Sequence, residues 1–146
     1  MKIVVTGGNG MMGQTIKDIV TNIDYKGDNT EKEFIFLSRK DCDLVNREEV
    51  LNYFIDKDYD YIIHLAAAVG GLYKNLNANI DMFSLNIKIN ENILEACHLN
   101  GIKRGIFVLS SCIYPANPTR FPMDETMIHE SPPHSSNEGY AYAKRM

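Results

Sequence analysis

The sequence predicts an α/β fold, a parallel sheet with helices on both of its faces. Two observations predict it. Short apolar runs alternate along the chain with stretches of helical periodicity. The first apolar run also passes directly into a glycine-rich turn and then a helix, the opening of a strand–turn–helix unit.

Each element has its own signal. Ile3 to Thr6 reads as a first buried strand, and Gln14 to Asn22 carries Ile16, Ile19 and Val20 at helical spacing. The polar stretch from Asp24 to Glu33 is expected to be a surface loop, followed by a second strand over Phe34-Ile35-Phe36-Leu37. Asn46 followed by Glu49 predicts a helix start, with Val50, Leu51, Phe54 and Ile55 on one face. Tyr61 to Leu65 is the third strand. Asn79 to Asn100 is the longest helix, stopped by Asn100-Gly101. Its apolar residues spread beyond one stripe, which fits either a helix wedged between sheet and loops or one that offers a second face to a partner subunit. Ile106 to Leu109 is the fourth strand. Pro115, Pro118, Pro122, Pro132 and Pro133 then break the chain into a long loop, and a last helix begins near Gly139.

Composition narrows the function classes. The 146 residues suffice for one domain with a core, and 45% are apolar, ordinary for a globular protein. A formal charge of -4 with interspersed signs leaves no basic field for nucleic acid or an anionic membrane. The N-terminal apolar run is too short for a signal peptide, and no stretch approaches a membrane span. Cys42, Cys97 and Cys112 are odd in number and widely spaced, which suits a reducing, cytoplasmic compartment. The four histidines lack metal-ligand spacing, so no metal is expected.

Gly7, Gly8, Asn9, Gly10, Met11, Met12 and Gly13 link the first strand to the first helix. A tight turn and a pyrophosphate lying on bare backbone both require glycine there, and the helix N-terminus supplies donors and a favourable dipole. The segment fits both Gly-x-x-Gly-x-x-Gly and Gly-x-Gly-x-x-Gly. Its position between strand and helix makes a dinucleotide loop the better reading than a plain glycine turn, and the fold Rossmann-type and doubly wound. After the second strand stands Ser38-Arg39-Lys40, where NAD enzymes usually carry an acid for the ribose 2'-hydroxyl. Arg39 favours NADP(H), although a solvated basic turn would look the same.

Tyr140 and Lys144 lie four apart on the last helix and so share one face. An ammonium beside a phenol favours the phenolate, making the tyrosine a usable proton donor near neutrality. Taken alone, such a pair is better read as an exposed helix face; downstream of a dinucleotide loop it reads as catalytic. Ser110 and Cys112 follow the fourth strand, where open α/β sheets place their ligands. On an extended backbone the two face the same side. That alternation selects Ser110 as a hydroxyl for a carbonyl oxygen, and leaves Cys112 as either packing or chemistry.

These residues resemble the extended branch of the short-chain dehydrogenase/reductases: the glycine loop, His64-Leu65-Ala66-Ala67 closing the third strand, Ser110, and Tyr140 with Lys144. Within it, Ala66-Ala67-Ala68-Val69-Gly70-Gly71, Ser110-Ser111-Cys112-Ile113-Tyr114-Pro115, Asp124-Glu125-Thr126 and Pro132-Pro133-His134 are similar to the GDP-L-fucose synthase family. The likeness runs from Lys2 to Met146. It implies NADPH-dependent conversion of a GDP-4-keto-6-deoxy-mannose to GDP-fucose, by epimerisation at carbons 3 and 5 and reduction at carbon 4. It further implies Tyr140 as proton donor, Lys144 on the nicotinamide ribose, Ser110 on the 4-keto oxygen and Cys112 as base of the epimerisation. Arg39, Asp43 and Leu44 would lie along the adenosine half of the cofactor, with Leu65, Ala66 and Ala67 also lining it. A homodimer is the expected assembly of the full-length parent.

Two departures accompany the resemblance. Asn9 stands where some members carry a second basic residue near the 2'-phosphate. The family is also roughly twice this length, so residues 1–146 are expected to be its NADP-binding domain, cut before the last strands, a second acid and the GDP-sugar domain, and inactive alone. A sister sugar-nucleotide epimerase or dehydratase would share the fold and the Tyr140/Lys144 pair, but dehydratases place an acidic pair where Ser111-Cys112 stands. A non-catalytic NADP-binding module is the remaining alternative.

Overall fold

A computed structural model describes residues 1–22 and 31–146. The loop expected from Asp24 lies, up to Thr30, outside the described residues, and Glu33 already belongs to a strand. The chain forms two compact units, one of Met1–Ala67 with Ile89–Val108 and one of Ala68–Lys88 with Leu109–Met146.

The first unit is a four-stranded parallel sheet with flanking helices. Its strands are β1 (Lys2–Thr6), β2 (Glu33–Leu37), β3 (Tyr61–His64) and β4 (Arg104–Phe107), in the order β2-β1-β3-β4. Every neighbouring pair is parallel, so each return passes through a crossover. The order reverses at β1, which makes the gap between the carboxyl ends of β1 and β3 the switch point where such sheets bind ligands. Val4, Val5, Ile62 and Leu37 are buried in the core.

Helix α1 (Met11–Asn22) follows β1 at once, and α2 (Arg47–Phe54) precedes β3. The start signal of α2 holds: Asn46 Oδ1 accepts the Glu49 amide at 3.3 Å. Glu49 reaches past the cap to the Asp43 amide at 2.8 Å, tying the turn after β2 to the helix. Val50 and Phe54 are buried, whereas Ile55, expected on the same face, follows the helix end and is exposed.

Strand β4 begins and ends two residues earlier than the apolar run Ile106 to Leu109 suggested. Its partner β3 stops at His64, opposite Phe107, and the Val108 amide makes the last bond of the pair, donating to the His64 carbonyl at 3.2 Å. Ile106, Val108 and Leu109 are exposed.

The second unit contains α3 (Leu72–Asn77), residues 79–88 of α4 (Asn79–Leu99) and α5 (Glu138–Arg145); the rest of α4 belongs to the first unit. Helix α3 is too short to show a period and has no sequence signal. It is held by the Asn75 amide donating to the Gly70 carbonyl at 2.8 Å. The proline-rich stretch is divided by 3-10 turns over Ser111–Ile113, Glu125–Met127 and Ser135–Asn137, begun by the side chains of Ser110, Asp124 and His134 respectively. Helix α4 stops where Asn100-Gly101 indicated, with Gly101 at φ 69°.

Candidate functional site

The glycine loop belongs wholly to the first unit. Gly7 turns at φ 72°, a conformation that L side chains rarely adopt, and a Cβ there would stand 2.9 Å from the Ala66 amide. A Cβ on Gly8 would meet Phe36 Cβ at 2.8 Å, and one on Gly13 would sit 2.5 Å from the Gly7 carbonyl. The Gly10 amide donates to Gly7 at 2.9 Å and the Gly8 amide to Leu37 at 2.9 Å, closing a tight turn against β2. The N-terminus of α1 opens directly out of this turn, with amides that lack an intrahelical partner. Met11 and Met12 there are exposed, leaving Gly13 as the buried residue of the helix. A backbone this bare beside a helix N-terminus fits a pyrophosphate.

The same unit holds the other cofactor candidates. Arg39 is 84% exposed and stands 3.7 Å from the Asp43 carboxylate. So loose an ion pair leaves the guanidinium available to an anion. Asp43 also accepts the Val45 amide at 3.2 Å. The turn itself is shaped by Asp41, whose carboxyl the Ser38 hydroxyl and amide hold below its ordinary pKa. Leu44 is buried, and its carbonyl accepts the Asn92 side chain at 2.9 Å. Leu65, Ala66 and Ala67 follow β3 at the switch point.

Sequence reasoning missed the roles of three buried polar side chains, Thr6, His64 and Asn86. Thr6 Oγ1 and His64 Nδ1 share a hydrogen bond of 2.7 Å, and the Ala66 amide donates to the same hydroxyl at 3.3 Å. The last residues of β1 and β3 are thereby joined just before the glycine loop and the alanine strip. In the second unit Asn86, fully buried, accepts the Ala68 amide at 2.9 Å and donates to the Ala68 carbonyl at 2.9 Å. Its signal was available: Met82, Asn86, Ile89 and Ile93 recur along one buried face of α4, and Asn86 is the polar member.

Ser110, Cys112, Tyr140 and Lys144 all belong to the second unit. Ser110 is extended and its hydroxyl oxygen accepts the Cys112 amide at 3.2 Å. The chain after Ser110 is a 3-10 turn, so the strand alternation that placed Ser110 and Cys112 on one side does not apply. They are neighbours for a different reason, the turn that Ser110 itself caps. Tyr140, half-buried on α5, interacts with both. Burial raises its pKa, a hydrogen bond with Ser110 opposes that rise, and the charge of Cys112 adds to it. Lys144 is 7% exposed, and burial lowers its pKa. Burial of the phenol therefore prevails, and its pKa is raised where the Tyr-x-x-x-Lys spacing suggested a depression.

Helix α5 is pressed close at its start. The Gly139 amide donates to Asn79 Oδ1 at 3.0 Å, and a Cβ on Gly139 would lie 2.0 Å from the Asn79 carbonyl oxygen. Only glycine lets the two backbones approach so nearly, one helical position before Tyr140.

Comparison with known proteins adds identity to this geometry. A family model described as the NAD dependent epimerase/dehydratase family matches residues 3–146. A GDP-L-fucose synthase of Dictyostelium discoideum is 44% identical over 144 residues, which are 99% of this chain and 43% of the relative. A probable GDP-L-fucose synthase of Drosophila melanogaster is 39% identical over 145 residues, 99% of this chain and 44% of the relative. Among solved structures, a GDP-L-fucose synthetase from Naegleria fowleri bound to NADP superposes with a TM-score of 0.85 at 40% identity, covering 99% of this chain and 44% of that one. The chain thus spans less than half the length of the relatives it matches. Among the described residues no helix is long and apolar enough to cross a membrane.

Proposed function

Because this chain belongs to the NAD dependent epimerase/dehydratase family, we propose that it forms the NADP-binding portion of an enzyme converting GDP-4-keto-6-deoxy-D-mannose to GDP-L-fucose. The observation that carries the proposal is the grouping of Ser110, Cys112 and Tyr140 within one compact unit, around a cysteine turn that the Ser110 hydroxyl caps. A hydroxyl, a phenol and a thiol together suit enolisation beside a ketone. The GDP-L-fucose synthases similar over 99% of the chain support this choice of reaction.

The residues divide the work as follows. Gly7, Gly8, Gly10 and Gly13 receive the pyrophosphate, and Arg39 receives the 2'-phosphate that distinguishes NADPH from NADH. Bound NADPH supplies a hydride for carbon 4 of the sugar. Ser110 and Tyr140 hold the 4-keto oxygen, where negative charge gathers both in enolisation and in reduction. Carbons 3 and 5 both lie alpha to that ketone; Cys112 removes their protons, and the second acid expected in protein of the relatives' length returns a proton to the opposite face of each carbon. Tyr140 delivers a proton to the carbon 4 oxygen, which its raised pKa suits by keeping the phenol protonated. Lys144 holds the nicotinamide ribose. A cytoplasmic homodimer of the relatives' length is the form in which we expect the activity; the 146 residues alone are expected to turn over no sugar.

The experiment is direct. Protein of the relatives' length carrying this chain, given GDP-4-keto-6-deoxy-mannose and NADPH, is expected to yield GDP-L-fucose with stoichiometric cofactor oxidation. NADPH oxidation that yields only an unepimerised 6-deoxy sugar, or no turnover, would reject the reading.

A further inference from the structure

One side chain of α5, outside the residues given roles above, ties the cysteine turn to the helix of Tyr140 and Lys144. Arg145, half-buried at the end of α5, donates from Nε to the Ile113 carbonyl at 2.7 Å and from Nη2 to the Ser131 carbonyl at 3.0 Å. Its guanidinium also lies over the Tyr142 ring, 5.4 Å from the centroid. Ile113 closes the 3-10 turn that contains Cys112, and Ser131 opens the Ser131-Pro132-Pro133 stretch that leads to α5. All of these residues lie in the second unit.

The chemistry of the contact is unusual for a surface arginine. A planar fork of fixed donors is directed at main-chain oxygens of two separate loop segments, where it acts as a rigid brace. Hydrogen bonds with a charged donor are the stronger kind, and a fork loses less side-chain entropy in making two of them than a lysine would in making one. Between Cys112 and Ser131 the chain has no regular element longer than a single 3-10 turn, and the Ala116 amide, donating to the Pro132 carbonyl at 3.1 Å, ties the two loop segments to each other.

We propose that Arg145 is a positioning residue, holding the Cys112 turn at a set distance from Tyr140 and Lys144 so that thiol and phenol act on one substrate. The proposal rests on the reaction proposed above. Near-attack geometry is steep, a displacement of about 1 Å costing on the order of a hundredfold in rate. Arginine is required because it reaches both carbonyls at once; lysine offers a single point charge.

The test uses protein of the relatives' length and two readouts. The first is alkylation by iodoacetamide at each cysteine, followed by mass spectrometry. Cys42 and Cys97 are buried and Cys112 is half-buried, so the three thiols report separately. In Arg145→Ala, Cys112 is expected to react at least about tenfold faster, the effect of losing the charge-assisted hydrogen bonds to both the Ile113 and Ser131 carbonyls, while Cys42 and Cys97 stay protected. The second readout is solvent deuterium exchange at carbons 3 and 5 of the sugar. It is expected to fall on the order of ten- to a hundredfold with the KM for NADPH held within about twofold, the split that a positioning role predicts. Should Arg145→Ala unfold, so that all three cysteines react alike, Arg145→Lys carries the test, because a single ammonium spans only one carbonyl and Cys112 alone should gain reactivity. Parental Cys112 reactivity in the folded variant overturns the proposal. Absence of exchange in the parent protein would instead defeat the proposed reaction, and the alkylation would still decide the role of Arg145.

Discussion

The two units are held together by different means. In the first, β1 to β4 form one hydrogen-bonded ladder, and a core of Val4, Val5, Leu37 and Ile62 lies against it. The second has no strand among the described residues, and single side chains give it shape: Asn86 clamps Ala68, Asp124 and His134 begin turns, Ser110 caps the cysteine turn and Arg145 braces it. Ladder hydrogen bonds are many and redundant, so the sensitive places in the first unit are those where a Cβ has no room. Polar clamps are few, and each loses its buried partner when removed. Shape in the first unit therefore fails by crowding, and in the second also by loss of a single donor or acceptor.

A pair of glycine substitutions in protein of the relatives' length, one in each unit, crowds the backbone of both and tests most severely whether the units also differ in function. Gly13→Ala places a methyl 2.5 Å from the Gly7 carbonyl and 2.7 Å from Gly8 Cα, both backbone atoms that yield poorly. Overpacking of this kind costs about 1–3 kcal/mol, so NADPH affinity should fall roughly ten- to a hundredfold. Gly139→Ala crowds the Asn79 carbonyl at 2.0 Å and should act on kcat instead, with NADPH affinity held. Isothermal titration alongside steady-state kinetics separates the two. If both variants lose the same parameter, the functional division between the units is wrong.

A smaller effect is expected at Arg39, whose side chain is 84% exposed. Arg39→Ala should lose most of the preference for NADPH over NADH, on the order of 1.5 to 3 kcal/mol for a charge-assisted phosphate contact. Measured kcat/KM for the two cofactors checks it, and an unchanged ratio would leave the basic turn without a role in selection.

The smallest effect belongs to the core thiols of the first unit. Burial pushes Cys42 and Cys97 up to about 11 from an ordinary 9.0. The folded thiols keep protons that unfolded ones release, so this contribution to stability is complete below about pH 9 and is lost as pH rises toward 11. Urea midpoints should decline across that window, and Cys97→Ala should flatten part of the slope. A midpoint that rises with pH there would contradict the assignment.

The same contrast explains what could be read from the sequence. Periodicity marks elements that bury a repeating face, as α2 does with Val50 and Phe54 and α4 with Met82, Ile89 and Ile93, and a short apolar run marks a buried strand, as Val4 and Val5 do in β1. The glycine loop was legible because sterics leave glycine little competition at Gly7, Gly8 and Gly13. Strand β4 slipped by two residues because its end is set by its partner, His64, and not by its own apolar run. Helix α3, the Ser110 cap and the Arg145 brace carry no period at all. They depend on which distant carbonyl or amide a single polar side chain reaches, and spacing along the chain does not encode that. The alternation argument for Ser110 and Cys112 failed at the same point, since it presumed a strand where Ser110 starts a turn.

The central claim is that the second unit carries the chemistry on the sugar, with Cys112 as the base and Tyr140 as the proton donor. It is tested by substrate incubated in deuterated water with protein of the relatives' length, following exchange at carbons 3 and 5 by NMR together with NADPH consumption. Cys112→Ser replaces a thiol, a group that serves as a base through its thiolate, with a hydroxyl that does not ionise usefully near neutrality. Exchange should fall roughly 100- to 10,000-fold, the usual cost of losing a positioned acid–base group. Reduction should persist and yield a 6-deoxy sugar that kept its original configuration at carbons 3 and 5. Tyr140→Phe should suppress reduction most strongly and slow exchange less. Parental exchange in Cys112→Ser would contradict the account, leaving Cys112 a packing residue of its turn.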